Sequence, residues 1–326
     1  MVSVNFIVPC FNEAENIDLF YANFKKTFMG LYSADKKPIY DWSLTFVDDG
    51  SSDSTWEMLA WLATNEERVT AIRLSRNFGK EAAIYAGLKS ADADYTGIID
   101  ADLQQSPVDA LAMCEILTHN PAIDCVAAFQ EHRYEKSLMA GIKRTFYKVF
   151  NKITGMDSVE NASDFRVFRR NVAQAILSMP EYFRFSKGIF AWVGFETYAY
   201  PYTPANRLAG ESKWSVMGLI KYAIEGMLAF SIKPLRLATG LGLFTAICAV
   251  IYFLVVFIRA LVVGVEVPGY ATLMSVILLL GGCQLVCMGI IGEYLARAYI
   301  QGKDRPIYVE RDRVTSAGNK VAFGDK

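Results

Sequence analysis

The 326-residue chain has no surplus charge of either sign: 33 Lys and Arg against 34 Asp and Glu leave a formal net charge of -1. Nor does it contain a basic run interleaved with aromatics, which excludes a nucleic-acid binder held by a global basic field. Anions must therefore be met by local patches. The six cysteines, Cys10, Cys114, Cys125, Cys248, Cys283 and Cys287, include no CxxC pair. This argues against a zinc site or a disulfide framework and fits a reducing compartment. The N-terminus, MVSVNFIVP, lacks a basic leader, and its apolar run is too short for a secretory signal. It reads as a first β-strand, with the N-terminal domain expected in the cytoplasm.

Charge is scarcest between residues 237 and 292, where only Arg259 and Glu266 carry any. Ala238 to Val263 and Tyr270 to Gly292 are two long apolar runs. A bilayer core of ~30 Å needs about 20 apolar helical residues, so each run is expected to span. The link 264–269 has no Lys or Arg. Lys233 and Arg236 precede the first run, and Arg297, Lys303, Arg305, Arg311 and Arg313 follow the second. By the positive-inside rule both ends face the cytoplasm. Arg259 lies near the outer end, where its long side chain reaches the headgroups. Two further segments, 139–155 and 214–230, carry apolar stripes at helical spacing. Lys143, Arg144, Lys148 and Lys152 lie off the first stripe, the pattern of a basic amphipathic helix on anionic lipid; packing of either stripe on the soluble core is the alternative.

Residues 1 to 130 alternate short apolar runs with helical stretches. VNFIVP, SLTFVDD, VTAIRLS, YTGIID and DCVAAF read as strands, and helices are expected from near Ala14, Ser54, Lys80 and Pro107. Such alternation predicts a parallel, doubly wound sheet, whose ligands collect beyond the carboxyl ends of the strands. PCFNEAEN, DDGSSDST, SRNFGKE and DADLQQ fall at those ends. Each alone reads as a turn with a helix cap. Four at successive strand ends point to a site.

VPCFNEAEN, VDDGSSDST, LSRNFGKEAA, DADLQQSP, DFRVFRR and RLAGESKW (207–214), followed by two apolar runs and EYLARAY, resemble glycosyltransferase family 2. Within it the chain is most similar to the polyprenyl-phosphate glycosyltransferases. That branch holds the bactoprenol glucosyltransferases of O-antigen modification and is related to dolichyl-phosphate mannose synthase. The resemblance covers nearly the whole chain. It implies an α/β fold of the GT-A type, a doubly wound, mostly parallel sheet with amphipathic interface helices and two C-terminal transmembrane helices. The expected layout is a catalytic domain over 1–212, a juxtamembrane helix over 213–236, two spans over 237–292 and a cytoplasmic tail over 293–326.

The implied reaction is inverting transfer of a hexose to undecaprenyl phosphate at the cytoplasmic face of a bacterial inner membrane. UDP-glucose is the expected donor; GDP-mannose, UDP-galactose and a UDP-aminosugar are the alternatives. Implied partners are the bilayer, a flippase, a downstream glycosyltransferase and further copies of the chain, up to a tetramer.

Asp100 and Asp102 are separated by one residue, so on an extended segment both point to the same side. Facing a diphosphate they would repel it, by about 4 kcal/mol per close pair at an effective dielectric of 20. A divalent cation between them reverses that sign, and oxygen ligands suit Mg²⁺ or Mn²⁺. The resemblance implies Asp100, Asp102 and Gln104 as metal ligands. It implies Pro9, Phe11, Asn12, Glu13, Asp48, Asp49, Lys80, Asp100 and Ala101 as nucleotide contacts, and Arg133, Arg207, Ser212 and Lys213 as contacts to the acceptor phosphate. Asp164 matches a proposed catalytic base or acceptor-orienting group, with Asp102 as its catalytic companion. The bland alternative for Asp164 is a salt bridge to Arg166 or a neighbour. Cys10 reads as packing, since one-step inversion needs no covalent nucleophile.

Two positions depart from the family pattern: Gln105 replaces a usual acid, and Gln130 replaces the first arginine of an Arg-x-x-Arg pair. A processive polysaccharide synthase is a rival reading, but Gln130 to Tyr134 lies too soon after DADLQ to be its Gln-x-x-Arg-Trp motif. Two spans also offer little channel. A membrane scaffold without activity is the other rival, and loss of a metal carboxylate would favour it; both carboxylates are present.

Overall fold

The computed structural model describes residues 1–29, 39–130, 162–203, 231–263 and 269–321. It divides into two units, Met1–Leu219 together with Pro306–Lys326, and Ile220–Arg305. The first unit opens with β1 (Val2–Cys10), α1 (Ala14–Met29), β2 (Tyr40–Asp48), α2 (Thr55–Asn65) and β3 (Val69–Leu74). It continues with α3 (Lys80–Ser90), β4 (Tyr95–Ile98), α4 (Pro107–His119) and β5 (Cys125–Gln130). After these come β6 (Ala162–Arg169), α5 (Arg170–Leu177), α6 (Ser186–Val193) and β7 (Thr197–Tyr202).

Period-two alternation gives β1 its two buried faces. Val4, Phe6, Val8 and Cys10 enter one core cluster together with residues of α1, α2 and α4, whereas Ile7 points the other way, where α3 packs. On α1 the buried residues Ile17, Phe20, Tyr21, Phe24 and Phe28 recur at helical spacing. Their rings interlock: Phe6 meets Phe24 edge-on at 5.1 Å, and Phe24 stacks on Phe28 at 4.5 Å. Each fully buried ring contributes about 1.5–3 kcal/mol.

The described strands form one sheet in the order β7-β5-β6-β4-β1-β2-β3-β8-β9, where β8 (Glu310–Thr315) and β9 (Gly318–Val321) follow the second unit in the chain. The central strands β4, β1, β2 and β3 are parallel, as expected. The flanks are not: β6 runs antiparallel to β4 and β5, and β8 antiparallel to β3. The chain steps outward from β1 to β3, then returns to place β4 on the other side of β1. This is a topological switch point, beyond which the loops of all four parallel strands meet.

The second unit contains α7 (Lys233–Val263) and α8 (Tyr270–Gly302). A helix of 31 residues is roughly 46 Å long, more than a bilayer core requires. The most apolar stretches, within Lys233–Val256 and Val276–Gly302, are not buried at all, which distinguishes them from core helices of a soluble protein. Tyr294 Oη of α8 donates at 2.5 Å to the carbonyl of Ser231, two residues before α7 begins.

Three expectations need comment. The segments 139–155 and 214–230 lie outside the described residues. The second apolar helix runs ten residues past Gly292, to Gly302. The expected tail 293–326 is no tail: residues 310–315 and 318–321 are strands completing one side of the sheet, and Ser75 N–H donates to the Val309 carbonyl at 2.9 Å where they join.

Candidate active site

The loops after β1 and β2 are sewn together. Asn12 adopts a left-handed backbone, φ 56°, and its N–H donates to Ser51 Oγ at 2.9 Å. Its side-chain oxygen accepts from Ser52 N–H at 2.9 Å. Glu13 N–H donates to Thr55 Oγ1, and Glu13 Oε2 accepts from Asn16 Nδ2 at 2.6 Å. Phe11 stands clear of this seam with 40% of its surface exposed, an available face for a nucleobase. Pro9 is half-buried beside it. Cys10 is buried, and burial pushes its thiol well above the usual range, so it stays protonated and is no nucleophile.

Asp48 and Asp49 are buried at the end of β2. Burial raises both pKa values, against the pull of amides. Asp48 accepts from Ser51 N–H at 3.0 Å, and its other oxygen lies 3.5 Å from Arg73 Nε. Asp49 accepts from the N–H groups of Phe78 and Gly79 at 2.7 and 2.8 Å. Its side chain thus holds the loop that delivers Lys80. Two glycines make this geometry possible. Gly50, at φ +69°, passes so close to the backbone of Arg76 that an added Cβ would lie 2.5 Å from the carbonyl carbon. Gly79, at φ +100°, turns the chain into α3.

Lys80, the first residue of α3, reaches across the strand ends. Its Nζ lies 2.6 Å from Asp100 Oδ1, 2.8 Å from Asp100 Oδ2 and 3.2 Å from Asp164 Oδ2. Burial alone would lower its pKa, but the two carboxylates hold it above the ordinary lysine value. Asp164 comes from β6, whose alternation sends Phe165 and Val167 into the core and Asp164 to the opposite face. Burial would raise the Asp164 pKa, yet the charges of Lys80, Lys187 and Arg166 bring it down to about 2. The ion pair named as the bland alternative therefore forms with Lys80, while the Arg166 guanidinium lies over the Phe190 ring at 4.0 Å.

Asp100 and Asp102 do not lie on an extended segment, contrary to expectation. β4 ends at Ile98, and residues 101–105 form a turn in which Leu103 takes φ 62°. That backbone costs a non-glycine residue energy and is concentrated at functional sites. The turn is forced by the start of α4, where Ser106 Oγ caps Val108 N–H and Pro107 opens the helix. Within it Asp102 Oδ1 accepts from Gln104 N–H at 3.1 Å, and Ala101 is buried.

Gln105, the departure from the family pattern, now has a physical account. It is buried; its Oε1 accepts from Asp100 N–H at 2.8 Å, and its Nε2 donates to Asp100 Oδ2 at 3.0 Å. An ionised acid could supply the first contact but not the second.

Among the described residues no cluster of three or more His, Cys, Asp and Glu is gathered. Asp100, Asp102 and the side-chain oxygen of Gln104 are the donor type that Mg²⁺ or Mn²⁺ takes, and would leave positions for diphosphate and water. Arg133, Arg207, Ser212 and Lys213 lie outside the described residues, and Gln130 ends β5. Sequence reasoning overlooked the neighbours of Asp164. Glu81 accepts from the N–H of Ser186 at 3.0 Å and from its hydroxyl, joining α3 to the start of α6, and the adjacent Lys187 acts on Asp164 electrostatically. The polar FRFSKG at 183–188 was the available signal.

Residues 5–177 match glycosyl transferase family 2, and residues 233–298 match the GtrB C-terminal hairpin. A putative glycosyltransferase CsbB of Bacillus subtilis (strain 168) is 36% identical over 95% of this chain and 91% of its own length. The bactoprenol glucosyl transferase of Shigella phage SfV is 39% identical over 94% of this chain and 98% of its own. A prophage bactoprenol glucosyl transferase homolog of Escherichia coli (strain K12) is 38% identical with the same coverage. Among solved structures, glucosyl-3-phosphoglycerate synthase from Mycobacterium tuberculosis with Mn²⁺, UDP-glucose and phosphoglyceric acid aligns at TM-score 0.48 and 16% identity. The alignment covers 70% of this chain and 78% of that one, and is too loose to relate the two sites.

Proposed function

Because the chain belongs to glycosyltransferase family 2, we propose that it transfers glucose from UDP-glucose to undecaprenyl phosphate, with inversion, at the cytoplasmic face of a bacterial inner membrane. The observation that carries this reading is the meeting of Asp100 and Asp164 at one lysine beyond the switch point of the sheet, in a chain that also bears two unburied apolar helices. The named relatives, similar over nearly their full length, support the choice of sugar and lipid.

Phe11 offers its face to the base, while Asn12 and Glu13 hold that loop to the one after β2. Asp100, Asp102 and Gln104 would hold a divalent cation, which would supply Lewis-acid neutralisation of charge on the diphosphate. Gln105 sets the orientation of Asp100 through two hydrogen bonds. A polyprenyl phosphate is already anionic and needs placement more than deprotonation. Lys80, Lys187 and Arg166 hold Asp164 ionised, and its ion pair with Lys80 keeps that ammonium at the strand ends until the phosphates arrive. The glycolipid product then passes to a flippase and a second transferase.

The test is incubation of membranes bearing the protein with undecaprenyl phosphate, Mg²⁺ or Mn²⁺, and labelled UDP-glucose, UDP-galactose, GDP-mannose and a UDP-aminosugar. Transfer from UDP-glucose alone, lost in Asp102→Asn, is the expected result. Transfer from another donor corrects the sugar, and none from any donor overturns the enzyme in favour of a scaffold.

A further inference from the structure

The site already contains a cation of its own. The Lys80 ammonium engages both oxygens of Asp100 at 2.6 and 2.8 Å, and Gln105 Nε2 takes Oδ2 from a further direction. A divalent ion approaching Asp100 meets like charge at contact distance and must compete for the same lone pairs. One of the two groups has to move. Asp100 is fixed, because buried Gln105 grips both its amide and its carboxylate. Lys80 is free to swing on a four-carbon stem, with 42% of its side-chain surface exposed. Its remaining partner, Asp164, offers one contact at 3.2 Å. A diphosphate arriving at this end of the sheet offers the ammonium more oxygens than Asp164 does.

Building on the metal and nucleotide reading above, we propose that Lys80 is the site's internal counter-ion. It closes Asp100 to divalent cations until a nucleoside diphosphate gives the ammonium another anion, so that metal and nucleotide bind as a coupled pair. The coupling is reciprocal: whatever factor the nucleotide adds to metal affinity, the metal adds to nucleotide affinity. Lys80 thereby acts as a positioning residue whose charge sets the order of assembly.

Mn²⁺ binding to the full-length, detergent-solubilised protein, read from the electron paramagnetic resonance of free Mn²⁺ with and without UDP, tests this directly. In the wild type UDP should tighten Mn²⁺ binding. Lys80→Gln should bind Mn²⁺ without UDP at least about tenfold more tightly than the wild type, a difference of ~1.4 kcal/mol, and its response to UDP should shrink by a similar factor. Lys80→Arg keeps the charge and should retain the weak nucleotide-free binding. Asp102→Asn should lose binding in both states, which locates the signal. Lys80→Met, neutral but similar in length, makes the same comparison if Lys80→Gln fails to melt cooperatively. Unchanged or weaker nucleotide-free Mn²⁺ binding in the neutral variants overturns the counter-ion role while leaving the metal site standing. Absence of Mn²⁺ binding by the wild type even with UDP overturns the metal reading, and this proposal with it.

Discussion

Held down to about 2 against the pull of its own burial, the Asp164 carboxyl stays ionised throughout the physiological range. The sign of the linkage follows from the direction of the shift. A depressed pKa means that the stabilisation by Lys80 is complete above the ordinary value of 3.8 and fades as pH falls through about 2. No acid limb in the rate between pH 5 and 8 can then belong to Asp164. The limb expected there comes from the second ionisation of a phosphate monoester, near about 6. A kcat/KM profile for glucosyl transfer should show it in the wild type and, at lower amplitude, in Asp164→Asn. Its disappearance in that variant would restore the general-base role. The residues of this site were legible as types, since DADLQQ, NFGK and DFRVFRR all stand out. Their meeting was not: Lys80 and Asp164 belong to motifs far apart in the chain, and the hydrogen bonds of Gln105 depend on a turn whose left-handed Leu103 has no sequence signature.

At the scale of elements, the parallel core was legible because short, mostly apolar strands alternate there with helical stretches. The flanks were not. The chain runs from β4 through α4 to β5, yet β6 inserts between those two strands, a choice made by long-range pairing rather than by local pattern. β8 reads ERDRVT, with Val314 as its one buried residue, so periodicity offers nothing to find. It is a strand because its backbone closes the open edge of β3. Arg313 ties it to α3, donating from Nη1 to Ser90 at 2.7 Å, while Nε and Nη2 donate to Glu310 of its own strand at 2.7 and 2.8 Å. Tyr308 adds an edge-on contact with Tyr85 of the same helix at 6.4 Å. Arg313→Ala should therefore cost about 2 kcal/mol, mostly through the charge-assisted bonds lost. Thermal melting measures the loss, and faster amide exchange along β3 would locate it; an unchanged melt would reduce Arg313 to a surface ornament.

At the scale of the whole molecule, chain connectivity constrains the topology. The chain leaves the first unit after Leu219 and rejoins it at Pro306. On the membrane reading, the helical pair must therefore begin and end on the side that carries that unit, a stricter statement than any charge count. Arg311 and Arg313, though they follow the second apolar run, belong to the sheet, and the orientation does not depend on them. In a cysteine-free background, Glu266→Cys should react with an impermeant maleimide from outside intact cells, and Lys303→Cys only after lysis. Equal labelling of both positions would rule out the hairpin.

The order of synthesis gives the return of β8 a further meaning. A ribosome completes the four parallel strands, then both apolar helices, and only afterwards the segment that covers β3. Until the hairpin has been made, the nascent sheet keeps a sticky margin open to misassembly. Completion of the sheet thus waits on synthesis of both apolar helices, and a chain halted within them carries a sheet whose β3 edge is still open.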